Sequence, residues 1–237
     1  MKPPLLTILF VLGAALSAPA ASIVGHVKAE GKAGAAQDDS GGNYSSRALK
    51  FAERVDYDAM KDFVVFIDGP LTNAAGVTNS LTAEVATTKV SQQRATFSPH
   101  VLPVTVGTRV QWPNHDDIFH NVFSYSESKP FDLGLYKSDI NGKKIPVPEV
   151  LFDRPGRVDV FCSIHANMNC VVLVLDNPFF SVTNEKGNYA IQNVPPGSYR
   201  LKAWHERLPP QIRQIEVPAA GEIRVDFTLG ITGLPRN

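Results

Sequence analysis

From Glu84 to Leu175 the chain runs through short β-type segments, most of them separated by Gly, Pro, Asn or Asp: Glu84 to Val90, Ala95 to Phe97, Val101 to Val106, Arg109 to Trp112, Asn121 to Tyr125, Val147 to Phe152, Gly156 to Phe161 and Cys170 to Leu175. Among segments so short and so often interrupted, no helix of ordinary length is convincing. They are the pattern of an antiparallel sandwich or barrel. The run Val171 to Leu175 is apolar throughout, which places it centrally in a sheet. The fold class read from this pattern is all-β.

The flanks carry the same signature. Ser22 to Lys28 alternates apolar and polar residues and reads as a strand, and Phe63 to Ile67 is a buried strand closed by Asp68-Gly69-Pro70. Residues 29–46 are too poor in apolar side chains to pack and read as a mobile loop. For Ala48 to Met60 a short helix and an irregular connection fit equally, and 71–83 reads as a linker. After Phe179, four more strands are expected, with turns at Asn184 to Asn188 and at Val194 to Gly197. The last of these strands is Ile223 to Leu229.

At 237 residues and 43% hydrophobic, the chain can form one large or two modest domains with real cores. Lys+Arg and Asp+Glu balance at 23 each, so there is no basic field for nucleic acid, and function must lie in local chemistry. Residues 1–20 have the form of a secretory signal, with Lys2, an apolar stretch from Leu5 to Leu16, and Ala18-Pro19-Ala20 at the cleavage site. The mature protein is therefore expected to be exported, periplasmic or extracellular. No membrane span is expected after signal cleavage; a retained anchor is the alternative.

The chemistry concentrates in Cys162-x-x-His165-x-x-Met168, a thiolate, an imidazole and a thioether in one loop between two apolar runs. Soft sulfur with imidazole favours copper over magnesium, calcium or manganese. A blue-copper plane needs a second imidazole. The best placed is His120, where a turn rich in Asn and Asp runs into the strand beginning at Asn121. Three readings of Cys170 stay open. Cys162 and Cys170 are the only cysteines and could pair as a disulfide in an exported protein. Cys170 could instead be a small buried apolar residue, or complete a tetrahedral zinc set with Cys162, His165 and His120.

Val106-Gly107-Thr108-x-Val110-x-Trp112-x-Asn114, Asp117-x-x-His120-Asn121-Val122 and Cys162-x-x-His165-x-x-Met168 follow one another in an order that resembles the cupredoxin family of plastocyanin and amicyanin type. The resemblance implies a Greek-key β-sandwich over 84–176 holding one type 1 copper. His120, Cys162 and His165 would be its ligands, with Met168 the axial thioether. It also implies that Asn121 ties the two ligand loops together by hydrogen bonds, and that His165, with apolar neighbours such as Ala166, is the exit for the electron. Between His120 and Cys162 there is room for two or three strands. His115 reads as exposed, His100 as structural and His26 as part of a distant strand. His205-Glu206 is not a zinc-protease motif, because Pro209 stands where the second histidine would be.

Asn184-Glu185-x-Gly187-x-Tyr189-x-Ile191-x-x-Val194-Pro195-Pro196-Gly197-x-Tyr199-x-Leu201-x-Ala203-Trp204 resembles the carboxypeptidase regulatory-like family, which implies a smaller transthyretin-like β-sandwich without catalytic residues. Its opening strands are expected in 21–70 and the remainder in 177–237, with the copper unit inserted between. Taken together, these features indicate an exported type 1 copper protein that mediates one-electron transfer to a redox partner protein and is not an enzyme. Copper handling without a redox partner, and a non-catalytic envelope interaction module, are the competing readings.

Overall fold

The computed structural model describes residues 21–31, 57–71, 85–140 and 142–230, which form strands and no helix. The expected export signal at 1–20, nearly all of the loop at 29–46 and of the linker at 71–83, and the segment from Ala48 up to residue 56 lie outside the described residues. No helix among those described is long and apolar enough to cross a membrane.

The described residues open with β1 (Ala21–Glu30) and β2 (Val64–Ile67), and a first sandwich follows. One of its sheets contains β3 (Thr87–Lys89), β7 (Thr108–Gln111) and β12 (Glu149–Phe152), in the order β12-β7-β3. The other contains β6 (Val101–Thr105), β8 (His120–Ser124), β9 (Phe131–Tyr136), β13 (Gly156–Phe161) and β14 (Asn169–Leu175), in the order β6-β14-β13-β8-β9. The chain changes sheets from β6 to β7, from β7 to β8 and from β12 to β13, β8–β9 and β13–β14 stay as antiparallel neighbours within one sheet, and β6 meets β14 in parallel, the wiring of a Greek-key sandwich. A hairpin of β4 (Ser91–Gln93) and β5 (Thr96–Ser98) lies alongside. Phe97, Val110, Trp112, Val122, Phe152, Val158, Val160 and Val172 fill the core.

Between His120 and Cys162 there are more elements than the two or three expected. Besides β9, β12 and β13 there is a two-residue pair, β10 (Asp139–Ile140) with β11 (Lys143–Lys144). Its four residues carry no alternation from which a strand could be read.

The second sandwich takes strands from both ends of the chain. β1 runs antiparallel to β16 (Asn188–Val194) and parallel to β19 (Gly221–Arg224) and β20 (Phe227–Gly230). β2 lies between β15 (Phe180–Val182) and β17 (Gly197–His205), and β17 pairs β18 (Leu208–Val217). β1 buries every second residue, Ala21, Ile23, Val27 and Ala29, against Val65, Ile67, Ile191, Leu201 and Phe227. The glycine in that alternation has a steric reason. A Cβ at Gly25 would lie 1.9 Å from the Val225 carbonyl, which also accepts the Tyr189 hydroxyl at 2.6 Å.

After Phe179 there are six strands, β15 to β20, where four were expected, and two of the differing boundaries have a visible cause. β1 continues through Ala29 and Glu30, expected in the loop, because β20 pairs them. The last strand, expected unbroken from Ile223 to Leu229, divides into β19 and β20: the Asp226 carboxylate, not a backbone carbonyl, accepts the His26 N–H at 2.8 Å, and the ladder resumes at Phe227.

β14 also explains its own uninterrupted apolar sequence. Cys170, Val172 and Val174 face the first core, whereas Val171, Leu173 and Leu175 face Val64, Phe66 and Trp204 of the second sandwich. Both faces of the strand are covered, so alternation vanishes. Arg157 adds to the joint, lying over the Trp204 ring at 5.7 Å and donating to the Glu206 carbonyl at 3.1 Å.

Candidate metal centre

His120, Cys162 and His165 meet at one end of the first sandwich. His120 is the first residue of β8, Cys162 follows the last residue of β13, and His165 lies in the loop leading to β14. That loop is closed by its own backbone: the Met168 N–H donates to the His165 carbonyl at 2.9 Å, and the Cys162 N–H to the Met168 carbonyl at 3.1 Å. The side chains are therefore fixed by strand ends and a tight loop.

Their donor atoms all lie within 4.8 Å of one another. Cys162 Sγ is 3.5 Å from His165 Nδ1 and 4.0 Å from His120 Nδ1, and the two Nδ1 atoms are 3.1 Å apart. Met168 closes the loop and is buried in the same apolar cluster as Cys162. His120 is fully buried and His165 is half-buried at the surface. Ile118, Phe119, Ile164 and Ala166, on the same loops, are exposed.

Cys170 stands apart. Both cysteines are free, so no disulfide joins them. Cys170 sits within β14, paired with Val160, and is not among the converging donors. Burial, and then the charges of Asp159 and Glu206, push its thiol far above the ordinary range, so it stays protonated and packs as a small apolar group.

One implied role is corrected. The Asn121 amide does not tie the ligand loops together; it donates to Asp132 Oδ1 at 2.7 Å, on β9. Residues alternate across a strand, so while His120 and Val122 point to the core, Asn121 points to the opposite face.

The side-chain bond that does reach one of the converging residues comes from Asp116, which the sequence reading left within a polar turn. Its Oδ2 lies 2.8 Å from His120 Nε2. The turn itself is organised by buried Asn114, which donates to the carbonyls of Ile118 (3.0 Å) and Tyr136 (3.2 Å) and accepts the Asp116 N–H at 2.9 Å. Burial raises the Asp116 carboxyl, but the N–H groups of Ala95 and Arg94 and the bond to His120 outweigh it and hold the carboxyl below its usual value. Beneath the site, the Tyr136 hydroxyl donates to the Trp112 carbonyl at 2.6 Å, and Gln92 Nε2 bonds both the hydroxyl and that carbonyl.

The other histidines fall away from the centre. His115 is exposed, and His26 lies in β1. His100 bridges the Asn169 carbonyl (3.2 Å) and Glu206 (2.9 Å) at the joint between sandwiches. His205 is buried against Phe63.

The donor set fits copper: two imidazoles, a thiol that ionises on metal binding, and a thioether on the same loop are soft donors, not the oxygen ligands that hard cations take.

The carboxypeptidase regulatory-like domain family matches residues 169–230. No curated protein matches the chain. Solved structures to which it is similar include a purple cupredoxin from Nitrosopumilus maritimus, with 24% identity, 38% of this chain and 98% of that chain covered, and a TM-score of 0.30. Pseudoazurin from Methylobacterium extorquens AM1 is 21% identical over 38% of this chain and 76% of its own, with a TM-score of 0.29. A copper-containing nitrite reductase from Thermus scotoductus SA-01 is 23% identical over 46% of this chain and 26% of its own, with a TM-score of 0.34. What the site can hold is decided by its own donors.

Proposed function

We propose that the chain is an exported copper protein that carries one electron at a time and catalyses no reaction. The observation that carries this reading is the convergence of His120, Cys162 and His165 donor atoms within 4.8 Å, with Met168 buried in the same apolar cluster as Cys162. Copper held there would supply a one-electron couple. The residues would do the rest. Cys162 gives up its proton to become the thiolate donor, and His120 and His165 each offer Nδ1. Met168 would offer its thioether as a further, weak donor.

Because the donors sit on strand ends and a hydrogen-bonded loop, they can keep one geometry in both oxidation states. With four protein donors there is no open position for a substrate, which separates this centre from the catalytic metal sites that keep one. The half-buried His165, among exposed Ile118, Phe119, Ile164 and Ala166, gives the electron a short path to a redox partner protein through a small apolar contact. Burial of His120 and Cys162 favours carrying over handing copper on, because metal leaves a rigid, closed site slowly.

The test is the visible spectrum of the purified protein loaded with Cu(II). Intense blue or purple absorption is expected, bleached by reductant and absent in Cys162→Ser. A colourless protein that takes up zinc through both cysteines would overturn the proposal.

A further inference from the structure

Asp116 makes more contacts than a turn cap needs. Its carboxylate is 13% exposed and meets three N–H groups. Oδ1 accepts Arg94 N–H at 2.6 Å, while Oδ2 lies 2.9 Å from the Ala95 nitrogen and 2.8 Å from His120 Nε2. Arg94 and Ala95 are the two turn residues between β4 and β5. Their φ values are 55° and 52°, the left-handed conformation that a two-residue hairpin demands and that glycine or asparagine ordinarily supplies. The carboxylate fixes this turn and a ligand side chain to one another.

The contact also decides where the imidazole proton sits. An ionised carboxylate can only accept, so the His120 proton in that bond is on Nε2. The lone pair then falls on Nδ1, the atom that faces Cys162 Sγ and His165 Nδ1.

Building on the copper reading above, we propose that Asp116 is the positioning residue of the centre. It holds His120 in the Nε2–H form with Nδ1 directed at the metal. It also places a negative charge one imidazole away, which favours the more highly charged copper state and keeps the reduction potential low. Outer partners of this kind typically change metal affinity by about ten- to a hundredfold when removed.

Two measurements test this. The first compares the reduction potentials of copper-loaded wild type, Asp116→Asn and Asp117→Asn. Asp117, 99% exposed and paired with Lys137, loses the same charge one residue away without touching His120. Asp116→Asn should weaken Cu(II) binding relative to Cu(I) by about tenfold, a rise in potential of about 59 mV, and Asp117→Asn by much less. Equal shifts in the two variants would overturn the proposal. Should Asp116→Asn fold poorly, the same change in an Ala95→Gly background lets glycine take up the positive φ. The second measurement needs no variant: nitrogen-15 NMR of the metal-free wild type should show His120 protonated on Nε2, and a proton on Nδ1 would overturn the assignment. It judges Asp116 even if the wild type fails to bind copper, a result that would count against the copper reading alone.

Discussion

Each sandwich buries polar side chains within an otherwise apolar interior, but they use them differently. In the second, Asn177 spends its whole side chain on backbone, donating to the carbonyls of Ile67 (2.8 Å) and Gly69 (2.9 Å) and accepting from Phe179 N–H (3.0 Å). His205 accepts the Arg207 N–H at 3.1 Å with its ring against Phe63. In the first sandwich, Asn114 and Gln92 close loops in the same manner, but His120 commits only one nitrogen, to Asp116, and turns the other toward Cys162 and His165. Burial closes loops in both units. A site arises only where donors are left facing one another. β14 joins the two, one face in each core, so the second sandwich is expected to support the first without entering the chemistry proposed for it.

The strongest challenge to this division is Leu173→Ala. Leu173 is packed between the sandwiches with Phe66 and Trp204. Truncating a buried leucine removes about 2–5 kcal/mol, so the urea midpoint should drop substantially. The colour of the folded, copper-loaded variant should be unchanged. Bleaching in a variant that is still folded would make the second sandwich part of the site.

The elements that were legible in the sequence are those whose residues carry a local signal. The strand runs, the soft donors of the Cys162 loop and the alternation of β1 follow from side-chain type and period. Cys170 showed two identities because a cysteine in an apolar strand looks the same whether it packs or ligates; only its pairing with Val160 and its distance from the donor group separate them. Asp116 was hidden because acidic residues in a turn are the ordinary solvated case. Its role depends on the backbone of the β4–β5 turn, more than twenty residues earlier. Its position four residues before His120 is the signal that could have been read. Asn121 was misassigned because a resemblance gives residue order and not the face a side chain takes. The β10–β11 pair had no apolar alternation to show itself.

Cys170→Ala sharpens the comparison at the level of single atoms. Cys162 and Cys170 share one apolar cluster, but only Cys162 faces two imidazoles. Loss of the Cys170 sulfur should lower stability by about 1 kcal/mol, as for removal of a comparable buried group, with the blue absorption intact. Loss of copper binding in this variant would show that Cys170 is a ligand.

The smallest expected effect is one of pH, and it belongs to the second sandwich. Burial lowers the pKa of His205 from 6.5, more than the neighbouring Glu206 charge raises it, and its Nδ1 is already an acceptor for Arg207 N–H. As pH falls through 6.5 the unfolded chain takes up a proton that the folded chain refuses, so the unfolded state binds more protons and stability rises with pH in that window. This contribution is present above pH 6.5 and is lost as pH falls through the folded value. Urea midpoints measured from about pH 7 downward should therefore decrease, and the decrease should be smaller in His205→Phe, which keeps a ring against Phe63 but cannot titrate. If the two slopes are the same, the acid sensitivity lies elsewhere, and the buried histidine of the second unit has no more influence on stability than an exposed one.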